Sequence, residues 1–411
     1  MKENNFIYLQ SGGPTGVINC SAYGALSEAL EHFDHVFAGL HGIEGLLADE
    51  VIEITKEDED ELELLKQTPG SAFGSCRKRL KDYKEDDSEY QELLKVLQKH
   101  RITSVAYNGG NDSMDTVYRF SSYLREKGIS EVRIIGIPKT IDNDLMVTDH
   151  TPGYPSSARY IASTVSEIIQ DGEAYHQGKV NIIEIMGRDA GWLTLASSLA
   201  SLTTAGPDLI CIPEVPFDLS SFLTEVKDIY KEKARAFAVV SEGIKDEKGN
   251  FIAASDKKDA FGHLQLGGAA SYLASQVAEL GLPVRSIELN IPQRADILYR
   301  SSTDIKEAEE AGRKAVRFLL NGVSGKMVTI VRKEKEGKYE PSYDVTSASE
   351  VADKIRYVPS SYYDERKHQA TSAFYDYLLP LAGDEKKTVY KEKNGLIRYF
   401  CLNKLHSFSK I

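Results

Sequence analysis

Short apolar runs rich in β-branched residues recur along the 411-residue chain, separated by longer amphipathic stretches. The runs Phe6–Leu9, Ser104–Tyr107, Val132–Ile137, Val180–Ile185, Asp208–Ile212, Phe237–Val240 and Val284–Leu289 predict buried strands, each bounded by Gly, Pro or Asp. Between them the spacing predicts helices over roughly 18–32, 112–127, 155–170, 190–202, 219–233, 268–281 and 303–321. In the last of these, Ile305, Ala308, Ala311, Ala315, Phe318 and Leu319 share a face, with Glu307, Glu310 and Arg313 opposite. Strand–helix alternation of this kind implies an α/β protein with parallel sheets and helices on both faces. The charge run 56–68 predicts a solvated helix face or its approach, and 325–350 and 384–395 predict surface loops and hairpins. From about 356 the chain is rich in Tyr and Lys and signals no particular chemistry.

Length adds that the chain exceeds one ordinary core, so about two domains are expected. Hydrophobic residues at 41% and charged residues at 27% fit a globular protein. No run reaches the roughly 20 apolar residues of a membrane helix. The start, MKENNFIYLQ, lacks the charged-then-apolar pattern of an export signal, so a cytoplasmic location is expected. Cys20, Cys76, Cys211 and Cys401 lie far apart without a CxxC pair, which argues against a zinc centre or disulfide framework. The net charge of −12 argues against nucleic-acid binding. A phosphorylated ligand would therefore need a local basic pocket.

In open α/β sheets ligands collect at the C-terminal ends of strands, and four loops stand there. Ser11-Gly12-Gly13-Pro14-Thr15-Gly16 reads either as a phosphate cradle at a helix N-terminus or as a tight turn. Gly109-Gly110-Asn111-Asp112-Ser113 reads as a helix cap or as a phosphate cradle with oxygen ligands for magnesium. Pro138-Lys139-Thr140-Ile141-Asp142-Asn143-Asp144 places two carboxylates beside a lysine and a threonine. That suggests a general base near bound phosphate, against an Asx-rich turn. Met186-Gly187-Arg188 suits a phosphate or developing negative charge, although a lone surface arginine is the commoner explanation.

Taken in order, these loops resemble the phosphofructokinase family from Gly12 to about Lys326. The TIDND loop, EIMGRDAGWL, Ser241-Glu242-Gly243 and Ile291-Pro292-Gln293-Arg294 carry the resemblance. It implies two Rossmann-like parallel-sheet domains. One is a donor domain of 1–150 plus part of the C-terminal region, and the other a sugar-phosphate domain of 151–325. Residues 326–411 would form an extension packing back on the donor domain. It implies Asp142 as the base toward the sugar 1-hydroxyl, with Thr140 and Asp144 supporting it. Arg188 would stabilise transferred-phosphoryl charge. Ile141, Met186, Gly187, Glu242, Ile291, Pro292, Gln293 and Arg294 are implied on the sugar phosphate. Lys179 and Arg285 would reach across a subunit interface, hence a homodimer or homotetramer. Gly12, Gly13, Arg77, Gly110, Asp112 and Lys139 are implied on the donor, with Asn111 and Asp112 toward Mg2+.

ATP-using members typically carry glycine where this chain has Asp112 and Lys139. The pair resembles the pyrophosphate-dependent branch, which implies reversible phosphorylation of fructose 6-phosphate to fructose 1,6-bisphosphate. A carboxylate about 4 Å from a nucleotide α-phosphate would cost roughly 4 kcal/mol at an effective dielectric near 20. The segment Phe261–Gly268 points to the same branch, and its His263 reads as structural before catalytic. Asn111 departs from the family aspartate, and Ile291-Pro292 from its usual residues. Two alternatives stand beside this reading: an ATP-dependent enzyme and a catalytically silent sugar-phosphate-binding subunit. A Rossmann dehydrogenase is disfavoured because Gly-Gly-Pro-Thr-Gly is not GxGxxG.

Overall fold

The computed structural model describes residues 4–258, 264–383, 389–393 and 396–407. The first apolar runs form strands β1 (Asn5–Gln10), β2 (Val36–Gly39), β3 (Val51–Ile54), β4 (Ile102–Gly109) and β5 (Arg133–Pro138). A second set follows: β6 (Val180–Ile185), β7 (Leu209–Cys211), β8 (Ala236–Ser241) and β9 (Val284–Glu288). The chain then returns to the first sheet with β10 (Lys326–Lys335) and β11 (Lys338–Ser347). The seven-stranded sheet runs β11-β10-β5-β4-β1-β2-β3, and the four-stranded sheet runs β9-β6-β8-β7. All six residues of β1, β6 and β8 are buried. Strands covered on both faces need near-continuous apolar sequence, which is why these runs were legible.

Register positions the chemistry. β1, β4 and β5 are parallel, with Gln10 opposite Asn108 and Gly109 opposite Pro138. Their C-terminal ends therefore finish side by side, and the loops at 11–16, 110–113 and 139–144 start together. In the second sheet Ile185 lies opposite Ser241, so the loops carrying Arg188 and Glu242 also emerge as neighbours.

The expected helices form at Ile18–Ala29, Asn111–Glu126, Tyr154–Glu173, Leu219–Lys233, Ala269–Glu279 and Ser302–Leu320. The stretch 190–202 is helical only over Trp192–Ala196 and continues as a 3-10 turn, Ser197–Leu202. Glu307, expected on a solvated face, is buried, because His150 and Tyr339 supply its hydrogen bonds. Within 56–68, Leu62, Leu64 and Leu65 are buried in short turns. The segment 325–350 does form a hairpin, but its first strand is core. Met327, Val328 and Ile330 are fully buried, and β10 joins β5 in parallel.

The chain after 326 serves both sheets. Phe400 and Leu405 pack in the core of the first sheet, whereas Val358, Tyr363, Phe374, Leu378 and Leu381 pack in that of the second. Residues expected to pack back on the donor domain thus divide between the two cores. His263 lies outside the described residues. No helix among the described residues is long and apolar enough to cross a membrane.

Candidate active site

A cavity of about 510 Å³ opens where the strand ends of the two sheets face each other. The first-sheet loops contribute Gly12, Gly13, Gly110, Asn111, Asp112, Lys139, Thr140, Ile141, Asp142 and Asp144. From the second sheet come Met186, Arg188 and Glu242, and Arg77 and Arg294 complete the wall. Arg77, Arg79, Lys139, Arg188, Arg294 and Lys354 thus gather on one cavity wall, interleaved with Asp112, Asp142, Asp144, Asp189, Glu242 and Asp353.

The Thr140–Asp144 loop is held from within. Asn143 sits at φ +55° and is fully buried, donating to Tyr377 Oη at 2.9 Å and accepting from the Thr151 N–H at 3.1 Å. Asparagine tolerates this left-handed conformation better than most residues. Asp142 N–H donates to Thr140 Oγ1 at 3.1 Å, and that hydroxyl lies 3.4 Å from the Asp142 carboxylate. Burial raises the Asp142 carboxyl above the usual range, with Lys139 opposing. Burial and the neighbouring Asp142 raise Asp144 as well. Burial that raises a carboxyl in this way makes its anion a stronger proton acceptor.

Lys139 is 3% exposed, and its Nζ donates to the Gly13 carbonyl at 2.7 Å. Burial pulls its pKa down to about 8 while Asp142 and Asp144 pull it back up. Gly12, at φ +77°, leaves room for that ammonium, because a β-carbon there would lie 3.1 Å from Nζ. A β-carbon on Gly13 would lie 3.2 Å from Arg294 Nη1. Arg294 therefore stands against the Gly12–Gly13 loop, where burial and the Arg77 charge lower its pKa. An anion among these cations relieves their mutual repulsion. On the second sheet, burial pushes Glu242 up to about 7, opposed by the Gly187 N–H that donates to it at 3.3 Å.

Family resemblance implies magnesium, and the residues present fit it in one respect. Asn111 Oδ1 is buried without a hydrogen-bond partner among the described residues, while its amide N–H donates to Asp144 at 3.1 Å. A spare oxygen beside Asp112 at a helix start is the donor type a hard cation takes. Among the described residues no three His, Cys, Asp or Glu side chains cluster as a metal site.

The remaining expected residues lie off the cavity wall. Gln293 is buried behind Met186 and accepts its N–H at 3.1 Å. Ile291 is 57% exposed, and Pro292 begins a short helix at the surface. Lys179 precedes β6, and Arg285 is opposite Asn181 near the start of β9, at the strand ends away from the cavity. Arg285 is exposed, with Asp171 3.8 Å away. Sequence reading missed Arg79, Asp189, Asp353, Lys354 and Ile355, which also line the cavity. Arg79 and Asp189 adjoin motif residues and could have been found. Nothing local marks 353–355.

A sequence profile described as Phosphofructokinase matches residues 5–318. The chain belongs to the phosphofructokinase family. It is 38% identical to a pyrophosphate–fructose 6-phosphate 1-phosphotransferase of Xanthomonas campestris pv. campestris (strain B100), over all of this chain and 99% of that protein. Its fold matches the crystal structure of a pyrophosphate-dependent phosphofructokinase from Nitrosospira multiformis at a TM-score of 0.86 and 33% identity, covering 97% of this chain and 96% of that one. A pyrophosphate-dependent phosphofructokinase from Marinobacter aquaeolei matches at the same TM-score and 35% identity, over 98% and 96%. Against that family, the cavity holds most of the residues expected on donor and sugar. Those expected to reach a neighbouring subunit stand outside it.

Proposed function

We propose that the chain catalyses the reversible transfer of a phosphoryl group from pyrophosphate to fructose 6-phosphate, yielding fructose 1,6-bisphosphate and orthophosphate. The observation that carries this reading is the donor end of the cavity, where Asp112 and the buried Lys139 both line the wall. A carboxylate there repels a nucleotide's additional phosphate, and a lysine fills space while attracting a small dianion. Residues 1–150 with parts of the C-terminal region would hold the donor, and 151–325 the sugar phosphate.

In the forward direction Asp142 accepts the proton of the sugar 1-hydroxyl as that oxygen attacks the terminal phosphorus. The bond from phosphorus to the bridging oxygen breaks, and orthophosphate leaves. Arg188 and Lys139 offset charge on the transferred group, and Thr140 orients the carboxylate. Glu242, with Met186 and Gly187, positions the sugar, and Arg294 and Arg77 hold phosphate oxygens. Asn111 and Asp112 would hold magnesium, whose charge when bound neutralises phosphate oxygens. We further propose a cytoplasmic homodimer or homotetramer, in which Lys179 and Arg285 serve a neighbour's sugar phosphate.

The test is a donor comparison on purified protein with fructose 6-phosphate and magnesium, followed in both directions. Turnover with pyrophosphate, and orthophosphate-dependent reversal, are expected. Phosphorylation with ATP and none with pyrophosphate would overturn the assignment.

A further inference from the structure

The chain just beyond β11 makes an arrangement that the reaction above does not use. Arg356 donates from Nε to the Asn143 carbonyl at 3.0 Å and from Nη1 to the Thr148 carbonyl at 2.6 Å and to the Asp149 carbonyl. Its own N–H donates to the Asp144 carbonyl at 2.8 Å. One residue thus grips the Thr140–Asp144 loop and its continuation through four carbonyls. The same residue faces the second sheet. Its carbonyl accepts the Trp192 indole N–H at 2.9 Å, and its guanidinium stacks 4.7 Å from that ring. Trp192 opens the helix directly after the Met186–Gly191 loop that carries Arg188. Two residues on, the Val358 N–H donates to Glu214 at 2.9 Å, and Glu214 also accepts the Gly191 N–H at 2.9 Å.

We propose that Arg356 is a positioning residue that splints the loop of Asp142 to the loop of Arg188, setting the distance between the proton acceptor and the charge-stabilising arginine. This rests on the roles given to those two residues in the proposed reaction. A planar guanidinium carries its donors on three separate nitrogens and so spans carbonyls that a lysine, with all its donors on one nitrogen, cannot all reach. The splint stands off the cavity wall, and lysine at 356 keeps the positive charge that acts on Asp144. Its loss should therefore appear in turnover and leave ground-state binding alone.

The experiment compares Arg356→Lys with the unaltered full-length chain, using whichever donor that chain accepts, so that an error in the donor assignment does not affect the comparison. A fall in kcat of about 100-fold, of the size expected for a misplacement near 1 Å, is expected with both KM values unchanged. Trp192, the single tryptophan, supplies an independent signal. Its emission should change in Arg356→Lys because the planar guanidinium stacked on the ring is replaced by an ammonium. An unchanged kcat, or a loss carried wholly by KM, overturns the splint. So does an unchanged emission if no donor supports turnover. Should Arg356→Lys not fold, Trp192→Phe decides, since it deletes the indole donor while keeping most of the apolar packing. A lowered kcat at constant KM supports the proposal, and wild-type kcat sinks it.

Discussion

At Gly12 the backbone turns through φ +77°, and the Lys139 ammonium lies where a side chain would begin. Alanine at this position meets both a left-handed strain of roughly 1–2 kcal/mol and a steric push on Nζ. Gly12→Ala is therefore expected to lower the unfolding free energy by about that amount and to raise KM for the phosphoryl donor more than for the sugar. Equilibrium unfolding and steady-state kinetics check the two effects separately. Lys139 places an ammonium in the cavity wall while staying buried. Burial weakens its charge, and Asp142 and Asp144 restore part of it.

Among elements, the clasp at His150 ties the strand-end region to the helix Ser302–Leu320 and the β10–β11 hairpin. His150 is fully buried, with Nε2 2.5 Å from Glu307 and Nδ1 2.9 Å from Asp149. Arg332 also pairs with Asp149, at 2.9 Å, and Tyr339 donates to Glu307 at 2.6 Å. Burial alone would lower the histidine pKa, but Glu307 and Asp149 outweigh it and hold the ring up to about 9. The folded pKa thus lies above the ordinary 6.5, so the folded state binds the proton more tightly. The stabilisation is complete below about pH 6.5 and fades as pH rises through 9. The stability difference between the native chain and His150→Gln should shrink over that window, as read from urea unfolding at pH 6, 7.5 and 9. A difference that is constant or grows with pH would show that the ring is not charged in the fold.

For the molecule as a whole, a net charge of −12 coexists with a cavity walled by Arg77, Lys139, Arg188 and Arg294. The acidic balance repels polyanions at large, while these four cations give an incoming anion a local counter-charge. Lys179 and Arg285 lie at the far strand ends and cannot serve this cavity within the same chain. If they complete a neighbour's site, Arg285→Ala should raise KM for fructose 6-phosphate, and activity per chain should fall on dilution below the dissociation constant of the subunits. Sedimentation with parallel assays checks this. A fully active monomer excludes the shared site.

Much of this was readable in advance, for identifiable reasons. The runs at β1, β4, β5, β6 and β8 are buried on both faces, so burial alone writes them as continuous apolar sequence. The four loops after them carry glycines, carboxylates and an arginine at strand ends, and the fold brings all four to one cavity. Other features left no such trace. β2 and β3 are only four residues each, too short to show a period. Glu307 looked solvated because its partners are His150 and Tyr339, distant in the chain. Arg356 acts on backbone carbonyls of residues 143, 148 and 149, and carbonyls have no sequence signature. Residue pattern and motif alone carried the strand–helix alternation, the loop chemistry and the family. How the chain beyond 326 divides between the two sheets, and how Arg356 joins the loop of Asp142 to that of Arg188, was settled only by packing in three dimensions. Local patterns record whether a residue is buried, but not which segment, two hundred residues away, covers it.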